Sequence, residues 1–153
     1  MIYNVTEYLE RNARLVPDKI AVSDRSGAYT WRELRERARR IATSLLSEGT
    51  ERGIMVYGDK SFDVLSVFLG AAYAGLFYSL MSTELPASRL RQSAEVLGVG
   101  TVVADGEHLD AAREIFEGKR IIASNELCGN DADDALLAKA AARHIDTDPL
   151  YIN

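Results

Sequence analysis

The stretch GIMVYGDKSFDVLSVFLGAAYAGLFYSLM, residues 53–81, decides the fold. Its first part, 53–57, carries a continuous apolar run and predicts a strand buried on both faces, as in a parallel sheet. Ser61 can cap the helix that follows, and Gly75 suits its end. Residues 77–81 then predict a second buried strand. Strand, helix and strand in this order predict a right-handed crossover between parallel strands.

The clearest helix signal lies upstream, between Thr30 and Gly49. Thr30 and Glu33 have the spacing of a capping box. Apolar side chains recur every three or four residues and predict one buried stripe along the helix. The stripe consists of Trp31, Leu34, Ala38, Ile41, Ala42, Leu45 and Leu46. The arginines fall on the other face, where we expect Arg35 and Arg39 to be exposed.

The remaining segments continue the alternation of strands and helices. Upstream, a helix is predicted at 4–16 and strands at 20–22 and 28–29, with a turn between the strands at 25–27. Downstream, helices are predicted at 86–97, 109–116 and 135–143, strands at 101–103, 120–123 and 150–152, and an acidic loop at 125–134. This alternation predicts an α/β fold, with a mostly parallel sheet and helices on both faces.

Composition limits the class of protein. The 153 residues are enough for one buried core, and the net charge of -5 argues against a nucleic-acid partner. Basic residues cluster once, at 32–40, where the helical pattern predicts a solvated face rather than a binding patch. Cys128 is the single cysteine and cannot form an internal disulfide. With no signal peptide at the N-terminus, we expect a cytoplasmic protein.

Residues 64–83 contain no charged side chain and have about the length of a membrane span. Gly75 divides this stretch, serines dilute it, and no excess of Lys or Arg marks one flank. A buried helix followed by a buried strand is therefore the favoured interpretation.

Residues 53–61 approach the GxxxxGK[ST] pattern of a phosphate-binding loop, but Asp59 is inserted before Lys60. A phosphate cradle needs free backbone N–H groups between a strand and a helix. Here the intervening residues belong to the predicted strand, and the Asp59 carboxylate would repel a phosphate. We therefore predict no nucleotide site in this segment.

Other candidate groups are equally weak. His108 and His144 are far apart, without cysteine or carboxylate partners at metal-ligand spacing, and are expected at the surface. Asp131, Asp133 and Asp134 lack the glycine and distal glutamate of a calcium loop. Cys128 has no basic neighbour in sequence that would lower its pKa. The sequence therefore predicts no catalytic, cofactor-binding or metal-binding residue.

Several motifs in order resemble the opening of adenylate-forming, AMP-forming ligases. PDKIAV at 17–22 followed by YTWREL at 29–34 resembles the first core motif of amino-acid adenylation domains. Residues 68–78 resemble the second core motif, and 148–153 resemble the strand before the family's Ser/Thr/Gly-rich phosphate loop. Within the family, 56–70 looks most like the D-alanine–carrier protein ligases.

The resemblance implies that residues 1–153 form the N-terminal α/β segment of a ligase's large domain and stop before its phosphate loop. The intact enzyme would activate a carboxylic acid, in our reading an amino acid, with ATP and Mg²⁺ bound by residues after Asn153. It would transfer the acyl group to a phosphopantetheine carrier protein or to CoA. The isolated chain would be inactive, and it would either self-associate or leave 148–153 disordered. The alternatives are an acyl-CoA ligase of the same family and a non-catalytic α/β binding or regulatory domain.

Overall fold

The computed structural model describes residues 4–145 and 148–152 as alternating helices and strands. In chain order these are α1 Val5–Leu15, β1 Ile20–Asp24, β2 Gly27–Thr30, α2 Trp31–Ser47, β3 Gly53–Tyr57, α3 Phe62–Ala74, β4 Phe77–Met81, α4 Ala87–Leu97, β5 Thr101–Ala104, α5 Leu109–Ile115, β6 Arg120–Ala123, a 3-10 turn Glu126–Cys128 and α6 Asp134–Ala141. Each predicted helix and internal strand is present. The 3-10 turn lies inside the segment predicted as a loop.

Strands β3 to β6 form one parallel sheet in the order β4-β3-β5-β6. The chain leaves β3 through α3 to reach β4, then returns across β3 to β5 on its other side. This reversal makes the carboxyl end of β3 a topological switch point. β1 and β2 pair antiparallel as a separate hairpin.

The two faces of the sheet carry different helices, and this confirms the predicted fold class. Ile54 and Val56 of β3 face α2, α3 and α6. Met55 and Tyr57, their neighbours in the same strand, face α4 and α5. All five β3 residues are buried, as the apolar run predicts. A third apolar cluster, around Leu9, joins α1 and the hairpin to α2 and α3.

Helix α2 confirms the predicted capping box but not every predicted exposure. Thr30 and Glu33 exchange the two bonds of the box. The prediction that Arg35 and Arg39 are exposed was wrong, because both lie against α1 and bond to the Glu10 carboxylate at 2.7 and 3.0 Å. Their side chains are only 33% and 16% exposed.

The apolar side chains of α2 follow the predicted stripe with two exceptions. Leu34, Ile41 and Leu45 are buried, whereas Trp31 in the first turn and Leu46 in the last are only partly buried. Arginines across the basic run at 32–40 form ion pairs with carboxylates, which include Asp63 and Asp131.

The uncharged stretch 64–83 is a buried helix and strand, as favoured from the sequence. Within the described residues, no helix has both the length and the apolar character needed to cross a bilayer.

The segment after α6 lies along the outer edge of β4. The Leu150 carbonyl accepts the amide of Tyr78, and the Ile152 amide donates to the Tyr78 carbonyl, each at 3.0 Å. This is a single parallel bridge between Tyr78 and Tyr151 rather than a full strand. The predicted strand at 150–152 is therefore shorter than expected, and the prediction for Asn153 lies outside the described residues.

Candidate functional site

An open cleft of about 1110 Å³ lies at the carboxyl edge of the parallel sheet. Its walls are the segments that follow β3, β4 and β5, together with the tip of the β1–β2 hairpin and Tyr151. In open α/β sheets, ligands bind outside the carboxyl ends of the strands at the switch point. This cleft is therefore the candidate functional site.

The start of α3 faces this cleft, and two of its first amide donors are already occupied. The Phe62 amide donates to Asp24 Oδ2 at 2.7 Å, and the Val64 amide donates to Ser61 Oγ at 3.2 Å. In the loop before the helix, the Asp59 amide donates to Asp105 Oδ2 at 2.9 Å. The chain's own oxygen atoms thus stand where a phosphate would need free N–H groups. That the segment holds no nucleotide phosphate stays a prediction, and these bonds are its structural basis.

The carboxylate of Asp24 is the negatively charged group that lies at the N-terminus of α3. The hydroxyl and amide of Ser26 donate to its Oδ1, and the Phe62 amide donates to its Oδ2. These hydrogen bonds, led by that of the Ser26 hydroxyl, lower the pKa of Asp24 to about 2. Asp24 therefore stays ionised at the positive end of α3 and ties the hairpin to that helix.

The lining of the cleft is acidic. Two basic side chains, Arg25 and Lys60, line it with six carboxylates. The carboxylates are Asp24, Asp59, Asp63, Glu84, Asp105 and Glu107. This balance disfavours direct binding of a polyphosphate. Among the described residues, no group of three or more His, Cys, Asp or Glu side chains is arranged to hold a metal ion.

Both histidines have carboxylate partners, contrary to the expectation from sequence spacing. His108 Nδ1 lies 2.7 Å from Asp105 Oδ1, and His144 Nδ1 lies 3.2 Å from Asp148 Oδ2. Both rings are partly buried rather than fully at the surface. The His144 ring packs on Gly75, where a Cβ atom would collide with Nε2.

The acidic loop has a structural role. Asp133 caps α6 by accepting the Leu136 amide at 2.9 Å. Asp131 and Asp134 form ion pairs with Arg40 and Arg39 of α2.

Cys128 is half-buried, and burial raises the pKa of its thiol. Burial therefore works against activation of this thiol as a nucleophile, and its lack of a catalytic role stays a prediction.

Comparison with known proteins identifies the family. The sequence model of the AMP-binding enzymes matches residues 9–150. The chain belongs to this family. The order of motifs in the sequence predicted this membership.

Individual relatives agree with this assignment. The chain is 32% identical over 105 residues to a D-alanine–D-alanyl carrier protein ligase of Lacticaseibacillus rhamnosus, a match that includes 67% of this chain and 21% of that protein. The chain therefore spans about a fifth of the length of this relative.

Two solved structures share the fold. A structure of VinN with L-aspartate superposes with a TM-score of 0.74 at 21% identity, over 91% of this chain and 35% of that one. The O-succinylbenzoate coenzyme A synthetase of Bacillus subtilis, in complex with AMP, superposes with a TM-score of 0.73 at 19% identity, over 82% of this chain and 33% of that one.

Sequence reasoning missed the two residues that organise the cleft, Asp24 and Asp105. Asp24 is the last residue of β1, and Asp105 directly follows β5. A glycine, Gly27 or Gly106, follows each of them at the turn. An aspartate at such a position often bonds to backbone amides, and this was the available signal. Their partners Phe62 and Asp59 lie 38 and 46 residues away in the chain.

Proposed function

We propose that the protein containing this chain is an AMP-forming ligase that activates a carboxylic acid, specifically an amino acid. The observation that carries the proposal is the family match across 9–150, which spans both faces of the sheet and the cleft. Similarity to a D-alanine–D-alanyl carrier protein ligase favours an amino acid as the substrate.

The proposed reaction has two steps. A carboxylate oxygen attacks the α-phosphorus of ATP, the bond from that phosphorus to the bridging oxygen breaks, and pyrophosphate leaves with the electron pair. A thiolate then attacks the acyl carbon of the adenylate, and AMP leaves. Carrier-bound phosphopantetheine supplies the thiol in this proposal, and Mg²⁺ bound with ATP offsets the phosphate charge.

The described residues do not fit the phosphates themselves. Asp24 and Asp105 occupy two of the amides at the switch point, and the cleft carries more carboxylates than cations. We therefore propose that the phosphate loop, the Mg²⁺ contacts and the catalytic groups follow Asn153. Residues 150–152 run parallel to β4, so the chain at Ile152 heads toward the carboxyl edge and the cleft.

Transfer to CoA is the second candidate. It is favoured by the structural likeness to the O-succinylbenzoate coenzyme A synthetase, which covers 82% of this chain. This likeness lies below 25% identity and concerns the fold, so the carrier protein remains the proposed acceptor.

The test has two parts. The native protein, assayed for ATP–pyrophosphate exchange with D- and L-amino acids and with aliphatic and aromatic acids, is expected to respond to an amino acid. An enzyme that exchanges only with other acids contradicts the amino-acid proposal, and loading of CoA instead of a carrier protein favours the second candidate.

Calorimetric titration of residues 1–153 alone with ATP-Mg²⁺ addresses the placement of the site. We expect no tight binding. A micromolar dissociation constant, about -8 kcal/mol, would contradict a site formed by residues after Asn153. A non-catalytic binding domain predicts no exchange by the native protein and no Ser/Thr/Gly-rich loop encoded after Asn153.

A further inference from the structure

His144 and Asp148 form a hydrogen-bonded pair between α6 and the segment that lies beside β4. Asp148 Oδ2 accepts the Ile145 amide at 3.0 Å and lies 3.2 Å from His144 Nδ1. The Asp148 amide donates to the Ile145 carbonyl at 3.1 Å. The bonds from the Ile145 amide and from His144 lower the pKa of Asp148 below its ordinary value. Asp148 is therefore ionised at neutral pH, and because a carboxylate can only accept, His144 Nδ1 is the donor.

The His144 ring lies against the C-terminal end of α3. Gly75 ends that helix in the left-handed region, with a φ of 70°. A Cβ atom at residue 75 would collide with His144 Nε2, so the ring fills the space that any other side chain would take. Gly75 therefore both ends α3 and provides the surface on which the imidazole packs.

Apolar packing contributes little to the position of this part of the chain. Ile145 is 66% exposed and Leu150 is 39% exposed. Both residues line a cavity of about 130 Å³ at the end of α3, so the packing there is incomplete. The His144–Asp148 pair and the contact of the His144 ring with Gly75 are therefore the main contacts that fix the chain before residue 150.

Residues 150–152 cover the outer edge of β4 at Tyr78. The Tyr78 amide donates to the Leu150 carbonyl, and the Ile152 amide donates to the Tyr78 carbonyl. Between these two bonds, the Tyr151 ring lies against the Tyr78 ring, with centroids 5.3 Å apart, and Tyr151 lines the cleft. The place of Tyr151 in the cleft wall thus depends on how its two neighbours are held on β4.

We infer that the His144–Asp148 pair is a conformational lock that keeps residues 150–152 on β4 and Tyr151 in the wall of the candidate site. The pair lines the small cavity at the end of α3 rather than the cleft itself. It acts by fixing the point from which the chain runs to the edge of β4. When the pair is broken, residues 150–152 separate from β4 more often, and the amides that bond across this edge exchange with water.

Hydrogen exchange at single amides of the native protein tests this lock. Asp148→Ala and His144→Ala each remove one partner of the pair. Asp110→Ala is the matched control, because Asp110 is an exposed aspartate that pairs within its own helix, α5. The Phe77 amide is the internal reference, because it donates to the Arg52 carbonyl on the β3 side of β4.

Gly75→Ala tests the contact of the ring with α3. In the wild-type background the added Cβ displaces the His144 ring, whereas in His144→Ala there is no ring to displace. The substitution must therefore lower the protection of the Tyr78 amide by a larger factor in the wild type than in His144→Ala. Equal factors overturn the role given to the ring.

Both lock variants are expected to lower the protection of the Tyr78 and Ile152 amides about tenfold, the low end for loss of a bond to a charged group, with the Phe77 amide within about twofold of the wild type. Asp110→Ala should match the wild type at all three amides. Unchanged protection at Tyr78 in either lock variant overturns the inference. So does an equal loss at Phe77, because that result describes opening of the whole sheet. If either alanine variant does not fold, Asp148→Asn takes its place and must show the same selective loss.

Discussion

Glu10 on α1 is predicted to stabilise the packing of three helices, and Glu10→Ala tests this directly. Its carboxylate accepts hydrogen bonds from Arg35 and Arg39 of α2 and from the Tyr73 hydroxyl of α3, the last at 2.7 Å. Burial and the adjacent carboxylate raise the pKa of Tyr73, so its hydroxyl remains a donor. Removing the carboxylate leaves this partly buried donor without its acceptor.

The magnitude follows from the exposure of each group. A buried donor that loses its acceptor costs about 1–3 kcal/mol, and an exposed ion pair contributes about 0–1 kcal/mol. Because Glu10 is 38% exposed, the ion pairs belong at the low end of their range. We therefore expect Glu10→Ala to lower the free energy of unfolding by about 1.5–3 kcal/mol, most of it from Tyr73.

Urea unfolding followed by circular dichroism measures this change, and a double-mutant cycle assigns it. Tyr73→Phe alone is expected to cost about 0.5–1.5 kcal/mol, and the coupling with Glu10→Ala to be about 1 kcal/mol. Glu36→Ala, on the exposed face of α2, is the control and should stay within about 0.5 kcal/mol of the wild type. Additive effects of the two variants would refute the reasoning, because they would mean that the Glu10–Tyr73 contact does not contribute.

Three further predictions concern pH, the core and association. Burial alone would raise the pKa of Glu10, but hydrogen bonds from Tyr73, Arg35 and Arg39 hold it below its ordinary value of 4.5. The contribution of the ionised Glu10 to the free energy of unfolding is complete above its unfolded pKa and is lost as pH falls through its folded pKa. The difference in the free energy of unfolding between wild type and Glu10→Gln, measured with urea, should therefore disappear below pH 4.5. A difference that stays constant with pH contradicts this. Leu45→Ala, at a fully buried position of α2, should cost about 2–5 kcal/mol by the same assay, and Leu15→Ala, at an exposed position, should change stability by less than about 0.5 kcal/mol; equal effects would mean that α2 is misplaced. Residues 1–153 alone should self-associate in light scattering, because Leu150 and Tyr151 are exposed beside β4; a monomer at every concentration would contradict this.

The secondary structure could be predicted from sequence because its signals are local. The capping box of Thr30 and Glu33 spans four residues, and the apolar run of β3 spans five. The glycine that ends α3, Gly75, has a positive φ of 70° and is recognisable from its position after an apolar helix. Each of these features depends on residues that are close neighbours along the chain.

The cleft and the partly buried arginines Arg35 and Arg39 could not be predicted, because their partners are distant in sequence. Arg35 bonds to a residue 25 positions away, and Arg39 also contacts one 95 positions away. From sequence alone, a basic helical face is predicted to be solvated when the acidic residues that pair with it lie on other elements. The same separation hid the role of Asp105, whose bond to the Asp59 amide depends on the strand order β4-β3-β5.

The positions of the internal carboxylates bear on how this sheet can serve an ATP-using enzyme. A phosphate-binding βα unit keeps the amides at its helix start free. Here Asp24 accepts the first amide of α3, and Asp105 accepts an amide of the preceding loop. Carboxylates therefore already accept two of the amides near the switch point, so we propose that a second backbone loop holds the nucleotide phosphates. The segment at 150–152 is directed toward this edge beside β4. In the proposed ligase, the acidic lining of the cleft would oppose a phosphate placed directly against the sheet.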